Sequence, residues 1–135
     1  MPALSVRGDY IMDMIEGRKK IEYRTWSTNH RGDLLLCGTT KKAAGCVPGY
    51  AIAVAKITDV EWDDWDQCYY WHIAPFEKGG SYLIEPIPVK GQLKLFSVEK
   101  DKIKKAPFDK VDHNDPAFEK WWNDKIEPLI YKPKK

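Results

Sequence analysis

Gly17-Arg18-Lys19-Lys20-Ile21-Glu22-Tyr23-Arg24-Thr25-Trp26 decides how the rest of the chain is read. Gly17 closes the segment before it. From Lys20 the pattern has period two, which places Ile21, Tyr23 and Thr25 on one face of a strand and Glu22, Arg24 and Trp26 on the other. The second face is chemically unusual, because with the adjacent Lys19 it gathers basic, acidic and indole side chains in a few residues. Two readings are open. In one, the strand is solvated and Glu22 simply pairs with Lys20 or Arg24. In the other, the face lines a polar pocket: Lys19 and Arg24 hold a phosphate or polarise a carbonyl, Glu22 accepts from an exocyclic amine, and Trp26 stacks on a base.

Toward the amino terminus, Ala3 to Arg7 alternates apolar and polar residues and reads as a short strand. Gly8-Asp9 then opens a helix of about two turns, with Asp9 available to cap it and Ile11, Met14 and Ile15 as its apolar stripe. Beyond Trp26, Arg31-Gly32-Asp33 is a turn into a buried strand, Leu34 to Cys37, that stops at Gly38. Tyr50 to Val60 is a long β-branched strand, Cys68 to Ile73 an extended aromatic one, and Leu93 to Val98 another. Pro86 and Pro88 remove ladder donors, so Glu85 to Gly91 runs along an edge or over the surface. Asp115-Pro116 starts a final helix, on which Trp121 and Trp122 are expected to divide between core and surface. The fold class expected is α+β: a mixed β-barrel of roughly six strands, a short helix after the first, and a carboxy-terminal helix. No repeat or composition break divides the chain, so residues 1–135 are expected to form one domain, with 132–135 a mobile basic tail.

Ala3-Leu4-Ser5-Val6-Arg7, the helix after it, the run Gly17 to Trp26 and Arg31-Gly32-Asp33-Leu34-Leu35-Leu36 together resemble an ASCH domain of the PUA-like superfamily. The family's Gly-x-Lys-x-x-Glu-x-Arg arrangement is kept as Gly17, Lys19, Glu22 and Arg24, and Glu85 to Phe96 resembles its later strands. The resemblance implies a PUA-like barrel with a cleft beside this segment and a role with RNA, single-stranded nucleic acid or a nucleoside. It adds Arg7 and Lys90 near the rim to a ligand-binding set of Lys19, Glu22, Arg24 and Trp26. Some similar proteins are amidohydrolases on N4-acetylcytidine, using a lysine, a threonine and a glutamate, and others are described as metal-dependent ribonucleases. Lys19 falls on the amidohydrolase lysine, but Glu22 occupies the threonine position, with Thr25 or Thr39 as conceivable substitutes. As an enzyme the chain would use Lys19 and Glu22 as polar catalysts, with Glu22 serving as a general base rather than a nucleophile. Binding therefore ranks ahead of hydrolysis.

Composition narrows the classes. Hydrophobic residues at 43% and charged residues at 31% exclude wholesale disorder, and a net charge of +2 excludes a non-specific DNA coat. Cys37, Cys46 and Cys68 form an odd set without CxxC spacing, which fits neither a disulfide framework nor a zinc site. No apolar run is long enough to span a membrane, and the first residues carry no signal pattern, so a cytoplasmic location is expected. No metal or other cofactor is expected. Mg²⁺ at Asp63, Asp64 and Asp66 is the weak exception, since acidic clusters at strand ends are usually just solvated. A protein-interaction role through the aromatic carboxy-terminal helix is the weakest alternative.

Overall fold

The apolar runs become strands and the amphipathic ones helices. The computed structural model describes residues 1–134, ordered as β1 (Pro2–Val6), α1 (Gly8–Ile15), β2 (Ile21–Arg24), β3 (Gly32–Gly38), β4 (Tyr50–Asp63), β5 (Cys68–Ile73), β6 (Tyr82–Pro88), β7 (Phe96–Ser97) and α2 (Pro116–Lys125). All seven strands join one mixed sheet in the order β2-β5-β4-β3-β1-β7, with β6 also on β4. β1 and β3 run parallel and set Ala3 opposite Leu35; the other ladders are antiparallel. The length of β4, 14 residues, lets its first half pair with β6 and its second half with β5.

This is the expected α+β class with its early and late helices. The strand count is seven rather than six, and the sheet does not close into a barrel. β6 and β7 share no ladder, because Pro86 and Pro88 carry no amide donors and β7 is short. The strand expected over Leu93 to Val98 shrinks to Phe96–Ser97: Leu93 is 95% exposed and Lys94 turns through a positive φ of 58°.

β3 shows why its sequence is continuously apolar. Leu34 and Leu36 face the larger core with Leu4, Ile57, Trp71 and Phe118, while Leu35 and Cys37 face a smaller one with Ala3, Val54 and Ile84. A strand buried on both faces has no polar alternation to show. α1 lays Ile11, Met14 and Ile15 into the larger core and ends at Gly17, whose φ of +81° suits glycine. α2 is capped by Asp115, which accepts from the Ala117 amide at 2.9 Å.

The expected division of Trp121 and Trp122 is overturned. Both are buried, at 9% and 5% exposure, because the segment after Ala106 folds over the helix. Phe108 packs on Trp121, and His113 on Trp122. With neither indole on the surface, the interaction reading of this helix loses its anchor. The backbone is held as far as Tyr131, whose amide donates to Cys46 at 2.8 Å, and Lys132 reaches back to Glu127 at 2.5 Å. Of the tail expected to be mobile, Lys135 lies outside the described residues. No helix among the described residues is long and apolar enough to cross a membrane.

Two outcomes follow. Phe118 is fully buried, so Phe118→Ala should lower the unfolding free energy by about 3–5 kcal/mol in urea titration, and a change of only a few tenths would detach α2 from the core. Burial, with Asp33 alongside, pushes the Tyr82 phenol up to about 12. Since an unfolded tyrosine releases its proton near about pH 10, the unfolded chain deprotonates first, and this contribution to stability is lost as pH rises from there to about 12. Tyr82→Phe should flatten that alkaline decline; an unchanged slope would contradict the assignment.

Candidate functional site

β2 is an edge strand, paired only with β5, and its register sets Glu22 opposite Trp71 and Arg24 opposite Tyr69. Opposed residues share a face, so Glu22 sits beside an indole that is 0% exposed. Glu22 itself is 5% exposed, while Tyr23, on the other face, is 51% exposed. The charged face thus turns inward and an aromatic meets solvent, the reverse of an ordinary amphipathic strand. A buried carboxylate is strongly unfavourable unless paired and hydrogen-bonded. Here both oxygens are served: Arg24 donates to Oε2 from Nη2 at 2.9 Å and from Nε at 3.3 Å, and Lys19 Nζ lies 3.6 Å from Oε1.

Each cation is held from a second side. Arg24 Nη2 also donates to the Ser5 carbonyl at 2.7 Å, tying β2 to β1 across a gap that no ladder spans. β7 covers only Pro2 and Ala3 of β1, and Ser5 lies beyond that cover. Lys19 Nζ rests 4.8 Å from the Tyr10 ring centroid and 4.5 Å from that of Tyr23. Arg24 Nη1 makes no hydrogen bond among the described residues, which leaves donors for a ligand.

A cleft of about 420 Å³ opens over this group. Glu22, Arg24, Thr25 and Trp26 line it from the β2 side, Ser5, Arg7 and Tyr10 from the β1 and α1 side, and Thr39 completes the wall. Trp26 stands edge-on to Trp71, ring centroids 4.9 Å apart, and its carbonyl accepts from the Trp71 indole at 3.2 Å. Arg7 is partly engaged, paired with Asp9 at 2.8 Å and lying 4.6 Å from the Tyr10 ring centroid. The Thr39 hydroxyl is buried and has no hydrogen-bond partner.

The structure therefore brings Arg7, Glu22, Arg24 and Trp26 to one cleft; Lys19 does not line it but is ion-paired to its Glu22. Lys90 does not join them. It lines a separate groove of about 760 Å³ between β6 and β7, and only its neighbours Gly91 and Gln92 reach Ser5. Tyr10 escaped the sequence reading because nothing in a short helix marks which aromatic will cover a lysine from the turn that follows it. Tyr23 escaped because alternation sends it to the opposite face.

The acidic run at the tip of the β4–β5 hairpin is used locally. Asp63 accepts from the Asp66 amide at 2.7 Å, Asp64 from the Trp62 indole at 2.7 Å, and Asp66 from the Tyr70 hydroxyl. That last bond holds the Tyr70 phenol above its usual range. Among the described residues no group of three or more His, Cys, Asp or Glu could hold a metal ion. His72 pairs with Glu61 at 2.6 Å on the face opposite the cleft.

A family model described as ASCH domain matches residues 4–122. No curated protein matches the chain.

Arg24→Gln leaves the buried Glu22 with Lys19 as its remaining cation and should cost about 3 kcal/mol of stability in denaturant titration. Replacing Glu22 and Arg24 together by Gln should cost less than the sum of the single changes. Strict additivity would mean that the two do not act as a pair.

Proposed function

The chain belongs to the ASCH domain family, and from that premise we propose that it binds RNA or a nucleotide in the cleft beside Gly17 to Trp26. Members of the family are commonly RNA-binding. The observation that carries the reading is the buried Glu22 carboxylate clamped between Lys19 and Arg24 on the wall of a cleft that also presents Trp26. A polar group that is costly to bury, held rigid and bordered by an aromatic ring, is how proteins read an unstacked base: Glu22 accepts from an exocyclic amine, the free Arg24 amino group meets a carbonyl or phosphate, and the Trp26 ring packs on the base. Arg7 lines the same cleft from the β1 and α1 side and supplies a second guanidinium for the backbone.

One observation favours a second reading, a hydrolase on a modified nucleoside. Thr39 lines the cleft with Glu22, and its buried hydroxyl has no hydrogen-bond partner, so a base and a hydroxyl free of a competing partner belong to one cleft. In that reading Glu22 takes a proton from the attacking group and returns it to the departing N4 amine, the free Arg24 amino group steadies the charge on the amide oxygen, and Lys19 holds Glu22 in place.

Under the binding reading, a short single-stranded RNA binds in a salt-sensitive manner, and Trp26→Ala weakens it by about 1–3 kcal/mol in fluorescence anisotropy. Equal affinity of wild type and Trp26→Ala would remove the base from this cleft. The hydrolase reading requires release of acetate from N4-acetylcytidine by the wild type and its loss in Thr39→Val or Glu22→Ala with nucleoside binding retained. Wild-type protein that binds the nucleoside without turning it over rejects it.

A further inference from the structure

We infer that the groove between β6 and β7 carries the sugar–phosphate chain of a single-stranded polynucleotide whose anchoring nucleotide occupies the cleft. This rests on the proposed nucleic-acid reading and makes the ligand a chain rather than a free nucleoside.

Charge is the first support. The whole protein carries a net +2, yet residues 90–105 hold six lysines against two acids, Glu99 and Asp101. Lys90, Lys102 and Lys104 line the groove, and none of the ion pairs among the described residues uses them. Of the two carboxylates on the same wall, Glu85 is already engaged by Lys125 at 3.7 Å and by the Trp121 indole at 3.3 Å. The groove thus presents three ammonium groups against one unengaged acid, Glu99. Unpaired lysines lining a groove are the arrangement that releases counterions when phosphates dock.

Continuity is the second. The loop after Lys90 forms the boundary between groove and cleft. Ser5, on the cleft wall, exchanges hydrogen bonds with the Gln92 backbone at 3.2 Å in both directions. A Cβ at Gly91 would lie 2.4 Å from the Ser5 hydroxyl, so only glycine brings the two this close. The groove also offers apolar ground, with Ile87, Val89 and Phe96 among its lining.

Direction is the third. On its other side the cleft borders the β4–β5 hairpin, because Arg24 is registered against Tyr69. The tip of that hairpin carries Asp63, Asp64 and Asp66, and no lysine or arginine lies between Ile57 and Phe76. A polyanion leaving the cleft is repelled there and attracted toward Lys90, Lys102 and Lys104. The unclosed seam of the sheet, where Pro86 and Pro88 prevent β6 from pairing with β7, provides the space.

The test compares a uridine dinucleotide with an octauridylate on the full chain by fluorescence anisotropy across a potassium chloride series. Lys102 and Lys104 are both exposed, so Lys102→Gln/Lys104→Gln should leave folding intact. The expected result is that the double variant binds the octamer about tenfold more weakly, with the slope of log affinity against log salt reduced by about 1.4, while dinucleotide affinity is unchanged. Octamer affinity unaltered in the variant, or lost in parallel with that of the dinucleotide, overturns the groove while leaving the cleft reading standing. An octaglutamate peptide that binds the wild type more tightly than the octamer does, and loses that affinity in the variant, assigns the groove to an acidic protein segment and also overturns it. Failure of the wild type to bind either oligonucleotide overturns both readings together.

Discussion

The carboxylate of Glu22, buried against Trp71 and held by Lys19 and Arg24, is the constraint on which the rest of the site depends. Left alone in that position it would be strongly destabilising, so both cations must be fixed, and fixing them organises their neighbours. Arg24 spends its second Nη2 donor on the Ser5 carbonyl and so brings the β2 edge to β1 where the backbone ladder is missing. Lys19 is covered by Tyr10 from α1 and by Tyr23 from β2 itself. One acidic residue thus sets the spacing of a strand edge, a helix and a second strand. The cleft between them is what remains when polar side chains, rather than main-chain hydrogen bonds, join two edges of a sheet.

Net charge hides the electrostatic character of the molecule. A value of +2 suggests no preference for polyanions, but the β4–β5 hairpin carries acids without a lysine or arginine, and the segment after β6 carries six lysines against two acids. The cleft lies between these regions. Under the proposed nucleic-acid reading that asymmetry gives the polyanion a direction, while the hairpin keeps its carboxylates busy with its own turn and indole. Exposed Trp65, 90% accessible at the hairpin tip, stands apart from the residues that line the cleft.

Much of this was legible in the sequence, and the limits have physical causes. Period two from Lys20 assigns Glu22, Arg24 and Trp26 to one face, but alternation alone does not say which face turns inward. That depends on Trp71, far along the chain, being registered against Glu22. The continuous apolar run of β3 correctly marks a strand buried on both sides, and the two prolines of β6 correctly mark an edge. Trp121 and Trp122 depart from the expected division because helical geometry sees two directions, whereas the segment carrying Phe108 and His113 supplies a second apolar surface. Family likeness places Lys90 at the cleft; the loop does reach Ser5, but through Gly91 and Gln92, and the lysine lines the neighbouring groove.

The central claim is that the Glu22 cleft is where the ligand sits. Titration of ¹⁵N-labelled protein with a short single-stranded RNA, followed by NMR chemical shifts, addresses it most directly. With the ligand in the Glu22 cleft, the Trp26 indole and the backbone amides of Ser5, Tyr10, Glu22, Arg24 and Thr39 move together along one saturating binding curve. Shifts confined to the hairpin from Trp62 to Cys68, with the cleft residues silent at saturation, would contradict it.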